Sequence, residues 1–103
     1  MIKVSALYPA TAGARFDMDY YATTHINLVK KKLGAACKGV AVEAGMSGAT
    51  ADSPATFVAM GHLLFDSVEA FGAAFGPHAD AIMGDIPNYT DIAPVIQVSE
   101  VKL

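Results

Sequence analysis

Thr56-Phe57-Val58-Ala59-Met60-Gly61-His62-Leu63-Leu64-Phe65 is the most apolar run in this chain. A strand alternates its side chains between two faces. One face then holds Phe57, Ala59, Gly61, Leu63 and Phe65, and the other Val58, Met60, His62 and Leu64. Both faces are apolar, which predicts a strand covered on both sides. One cover is supplied by helices of the same chain, and the other must come from elsewhere.

Working outward, Gly45 to Pro54 is small, polar and rich in breakers, so it reads as a loop joining this strand to one at 38–46, where Val40 and Val42 alternate. Residues 2–8 alternate Ile2, Val4, Ala6 and Tyr8 against Lys3 and Ser5, a further strand stopped by Pro9. Thr11-Ala12-Gly13 makes a loop, Asp17 caps a helix over 18–33, and Gly34 ends it. Downstream, Ser67 and Glu69 open a helix over 67–75 with Val68, Phe71 and Phe75 on one face. Gly76-Pro77 breaks it. A short helix over 78–84, a turn at Asp85-Ile86-Pro87-Asn88 and a last strand over 92–101, with Pro94 near its start, complete the chain.

The order β-α-β-β-α-β predicts a single ferredoxin-like α+β domain over 1–103, an antiparallel four-stranded sheet with both helices on one face. The uncovered face of such a sheet would be a large apolar patch. Two copies packed sheet to sheet would remove it, so a homodimer with a cavity between the sheets is expected.

Composition agrees. The chain has 103 residues, 53% hydrophobic and 17% charged, an apolar excess for so small a domain to hide alone. The net charge is -3 and the only basic cluster, Lys30-Lys31-Lys32, closes the first helix, where cations suit the negative end of the dipole. No basic stripe for nucleic acid is present. Cys37 is alone, which excludes an intrachain disulfide and a multi-thiolate zinc site. No run approaches membrane-spanning length, and Met1 to Tyr8 lacks a signal-peptide pattern, so a cytoplasmic location is expected. A phosphate-cradling loop, a dinucleotide fingerprint, a His-Glu-x-x-His pair and a Gly-x-Ser-x-Gly elbow are all missing. No nicotinamide, metal or other cofactor is expected.

The first helix carries the clearest chemical signal. At about 100° per residue, Met18, Tyr21, Ala22, His25, Ile26, Leu28, Val29 and Leu33 share a side, with His25 near the middle of the arc. A polar ring there must find a partner, because an unpaired buried polar group costs about 1–3 kcal/mol. The Tyr21 phenol or a backbone carbonyl would satisfy it. Two readings are open: a hydrogen-bonded core histidine, or an imidazole aimed into a cavity to move a proton. His62, Met60 and Phe57 are candidates to line a pocket from the central strand, and Tyr89 and Asp91 either bring polar groups to its mouth or shape their turn. His78, after Gly76-Pro77, reads as a surface residue.

Three segments, Phe16-Asp17-Met18-Asp19-Tyr20-Tyr21-Ala22-Thr23-Thr24-His25, Gly76-Pro77-His78-Ala79 and Ile86-Pro87-Asn88-Tyr89-Thr90-Asp91, resemble the EthD family, associated with ethyl tert-butyl ether degradation. The resemblance covers nearly the whole chain. It implies a dimeric α+β barrel whose relatives include cofactor-independent monooxygenases, isomerases, decarboxylases and haem-handling enzymes. His25 matches the family's signature histidine. Family members often carry proline two residues after it; Asn27 stands there instead, which predicts a straighter helix. The functions so implied are an oxidoreductase, isomerase or decarboxylase using His25 as acid or base with Tyr21 positioning it, or a binding protein that serves a partner oxygenase. Haem binding through His25 is the remaining reading.

Overall fold

The computed structural model describes all 103 residues. Strand β1 (Ile2–Pro9) leads to α1 (Met18–Tyr20), which continues through a π-helical turn (Tyr21–His25) into α2 (Ile26–Leu33). After a 3₁₀ turn (Gly34–Ala36) come β2 (Gly39–Ala44) and β3 (Phe57–Phe65). Then α3 (Val68–Phe75) and α4 (Ala79–Gly84) flank a 3₁₀ turn (Gly76–His78), and a second such turn (Ile86–Asn88) precedes β4 (Val95–Glu100). The four strands are antiparallel in the order β2-β3-β1-β4, the ferredoxin-like sheet read from the sequence. No helix is long and apolar enough to cross a membrane.

The local signals act as expected. The Asp17 carboxylate accepts from the Tyr20 N–H and the Ser67 hydroxyl from the Ala70 N–H, each satisfying a free donor at a helix start. Gly34 closes α2 at φ 61°, a backbone setting that suits glycine. The last strand starts at Val95 rather than Ile92, because Pro94 has no N–H to give the ladder.

Two features depart from the sequence reading. The first helix is not the straighter one that Asn27 predicted. At the π turn the Ile26 N–H reaches the Tyr21 carbonyl five residues back. The Thr23 hydroxyl binds the Asp19 carbonyl, the kind of side-chain intrusion that disturbs a helical ladder. The result is a buried column of Tyr21, His25, Val29 and Leu33, spaced by four residues throughout. Ala22, placed on the apolar arc by uniform helical stepping, is exposed.

The second departure concerns the two faces of β3. Ala59, Gly61 and Phe65 are buried on the helix side, with partners Tyr8, Ala6 and Ile2 in β1. The opposite face is half-buried and mixed: Leu7, Met60 and Leu64 flank a polar row across three strands. In that row the Glu43 carboxylate lies 3.0 Å from His62 Nε2, and His62 Nδ1 lies 2.8 Å from the Ser5 hydroxyl.

The helix side holds two packed groups. One joins Ile2, Val4, Phe65, Val29, Leu33 and Ile82. The other joins Tyr8, Tyr21, Ala59 and Tyr89. Between them the sheet presents its smallest side chains, Ala6 beside Gly61, and the helices bridge a hollow.

Candidate functional site

That hollow is a cavity of about 250 Å³ under the helices, walled mainly by hydrophobic side chains from Val4, Tyr8, Val29, Leu63, Phe71 and Ile82. Ile96 and Met83, each about half exposed, also line it and mark its opening to solvent. The sequence reading put a cavity between the sheets of two copies. This one lies within one chain, where Ala6 and Gly61 leave room on the helix side and His25 faces that side.

His25 is 5% exposed and lines the cavity. Its Nδ1 lies 2.9 Å from Asp85 Oδ2. The other carboxylate oxygen, Oδ1, accepts from the Tyr20 hydroxyl at 2.7 Å and the Asn88 side-chain amide at 2.9 Å. Burial works to raise the Asp85 pKa, but the hydrogen bonds from Asn88, Tyr20 and His25 outweigh it and hold the carboxyl below its ordinary value. An ionised Asp85 fixes the proton of the neutral imidazole on Nδ1, leaving the Nε2 lone pair for the cavity. Nε2 has no protein partner, and no side-chain nitrogen or oxygen is both sealed from solvent and unsatisfied, so Nε2 opens onto the hollow.

Aromatic rings fix the direction of this imidazole. Tyr21 stacks on it at 5.6 Å with planes 20° apart, and Tyr89 packs on it at 4.7 Å. The Tyr21 hydroxyl reaches over Gly61, where a Cβ would lie 2.1 Å from the oxygen, so this strand position has no room for a side chain. Tyr8 and Tyr89 share a 2.6 Å hydrogen bond beside it. Burial raises the pKa of Tyr8, Tyr21 and Tyr89, which keeps all three phenols protonated.

The structure thus brings His25, Tyr21 and Tyr89 together. Tyr21 holds His25 by stacking; the hydrogen bond expected from its phenol comes from Asp85 instead. Tyr89 is fully buried behind His25 rather than at the cavity mouth. His62 borders the cavity but turns its ring away, and Met60 lies off it: Gly61 faces Tyr21, so its neighbours in β3 point to the opposite side of the sheet, where His62 meets Ser5 and Glu43. Phe57 pairs with Pro9 at the end of the ladder, away from the cavity lining. Asp91 is exposed and accepts from the Arg15 N–H at 2.9 Å, so it shapes its turn. Asp85, Tyr20 and Asn88 were not singled out in the sequence. The available signal was that a buried histidine needs an acceptor, and Asp85 opens the proline turn that follows the cavity helices.

Comparison with known proteins fits this architecture. The family model for the EthD domain matches residues 12–93. An EthD-like protein from Ralstonia eutropha JMP134 is 51% identical, with a TM-score of 0.94 over 99% of this chain and 92% of that one. An EthD family protein from Bacillus halodurans C-125 is 19% identical, with a TM-score of 0.77 over 99% of each chain. HapK from Hahella chejuensis, at 11% identity, has a TM-score of 0.58 over 99% of this chain and 93% of that one, and shares the fold. No curated protein matches. With its family signature spanning the cavity helices and both proline turns, the chain belongs to the EthD family.

Proposed function

We propose that this chain binds a small, neutral, largely apolar molecule in the helix-side cavity, with His25 as its acid–base group, and works as a homodimer. The observation that carries the reading is the His25 ring itself: Nδ1 is tied to a carboxylate and Nε2 is presented, without a partner, to an apolar hollow. No Asp, Glu, Lys or Arg side chain lines the cavity, so a charged ligand would lose hydration without replacement. A phenol or an acidic C–H suits a bare Nε2 lone pair. Such a protein fits a step in oxidative breakdown of apolar compounds, the setting named for the family by ethyl tert-butyl ether.

The test is binding of 2-naphthol, followed by calorimetry and by ¹H–¹⁵N spectra of the histidine rings. Saturable binding that shifts the His25 ring and leaves His62 unmoved supports the site. No binding, or a shift at His62 alone, removes it. Binding with no turnover of any phenol or ketone under air would favour the accessory role beside a partner oxygenase.

The dimer reading rests on what the sheet leaves bare. On the open face the edge strand β4 exposes Val95 by 52% beside Leu7, and Leu7, Met60 and Leu64 are only half-covered there. Such apolar surface marks an interaction site. The polar row among them is already internally hydrogen-bonded. Light scattering at micromolar concentration should give about twice the 10.7 kDa chain mass. A monomer mass there would overturn the pairing.

A further inference from the structure

We propose that the cavity is built for a proton shift on an enolisable carbonyl compound, with His25 Nε2 taking the α-proton and the Tyr21 hydroxyl donating to the carbonyl oxygen. This rests on the reading of the cavity as the ligand site and narrows it to a substrate class.

The argument begins with what the cavity offers besides apolar wall. Tyr21 and His25 sit one turn apart, their rings stacked at 5.6 Å, and both line the hollow. One brings an acceptor and the other a donor. The Tyr21 hydroxyl lies over Gly61, which also lines the cavity, and its neighbouring protein partner is the Tyr8 phenol, so a carbonyl oxygen in the hollow competes with Tyr8 for its proton. Beside it, Tyr8 also lines the cavity and is joined to Tyr89 through hydroxyls 2.6 Å apart. Three clustered phenols polarise one another, which makes the one that meets a ligand a better donor. Burial raises all three pKa values, so the phenols stay protonated donors.

A ligand that uses both groups needs an oxygen that accepts and, close by, a hydrogen that leaves as a proton. A ketone with an α-hydrogen has both, and so has its enol or phenol tautomer. The step balances within the site. Nε2 forms an N–H bond as the α C–H bond breaks; that electron pair becomes the C=C bond, and the carbonyl π pair moves to oxygen. The oxygen charge develops against the Tyr21 hydroxyl, in a water-poor cavity where a fixed donor acts most strongly. The imidazolium is held by Asp85, whose carboxylate already faces Nδ1. Returning the proton to oxygen gives the enol, and returning it to a different carbon gives an isomer. No oxidant is consumed.

The experiment follows exchange of the α-hydrogens of 2-tetralone in D₂O by ¹H NMR, with the full chain near neutral pH. The wild-type protein should accelerate exchange above the buffer rate with saturation. His25→Ala should fall to the buffer rate. Tyr21→Phe keeps the stacked ring and should lower the maximal rate about 100-fold or more while leaving half-saturation within a few-fold, as expected for loss of one oxyanion donor. Equal exchange by Tyr21→Phe and wild type overturns the donor assignment. Failure of the wild-type protein to exchange 2-tetralone while it still binds 2-naphthol overturns the proton shift and leaves the cavity reading standing. Failure of both overturns the cavity reading with it.

Discussion

Phe65→Ala should lower the free energy of unfolding by about 3–5 kcal/mol, the range for removing a buried aromatic side chain. Phe65 is 0% exposed, pairs with Ile2 across the sheet and meets the Phe71 ring edge-on at 5.1 Å. It joins β1, β3 and α3 in one packed group, so the space it leaves has walls from three elements that cannot all collapse inward. A domain this size has only about 5–15 kcal/mol in total, so the variant should be marginal at physiological temperature. Urea denaturation measures it, and a loss under 1 kcal/mol would mean that the core is organised around other residues.

Asp85→Ala should lower stability by about 2–3 kcal/mol, the scale of hydrogen bonds to a charged group, and weaken the site at the same time. Its carboxylate is the shared acceptor for His25, Tyr20 and Asn88, three groups from two distant parts of the chain. Without it, the buried His25 Nδ1–H has no acceptor and the imidazole is free to turn or to change tautomer. Binding of 2-naphthol should fall about tenfold or more, as when a histidine loses its orienting partner. The pH dependence follows from the lowered Asp85 pKa. Its contribution is fully present above the pKa of an unfolded aspartate and is lost as pH falls through the still lower folded value. Wild-type stability should therefore drop more steeply than that of Asp85→Asn as pH is taken from 5 toward 3. Parallel curves for the two proteins would show that Asp85 is not ionised preferentially in the folded state.

The fold was legible because its signals are local. The alternation in β1 and β3, the caps at Asp17 and Ser67, and the breakers at Gly34 and Gly76-Pro77 each act within a few residues. The site was legible only in part. His25 and Tyr21 stood out because they lie on the apolar side of a helix. Asp85 did not, since it is 60 positions from His25 and only the folded turn joins them. For His62 and Met60 the limit was different: with both faces of β3 apolar, alternation tells which residues share a face but not which face meets the helices. Gly61 decides it, through a close approach of Tyr21 that one-dimensional periodicity does not contain.

The π turn also has a genetic consequence. Tyr21 and Leu33 are twelve residues apart, which in a regular helix is three turns and about a third, so they would diverge around the axis. The wider turn takes up that remainder, as one extra residue accommodated inside a helix. A single-codon deletion among the exposed positions 22–24 would let the helix close into regular turns, with the Asp17 cap and α2 still seated on the sheet. Tyr21 and His25 would then stand three residues apart instead of four, and their stacking would be re-aimed. Gain or loss of one codon there is thus a route by which descendants of this scaffold could acquire or discard the cavity's chemistry while inheriting the fold intact.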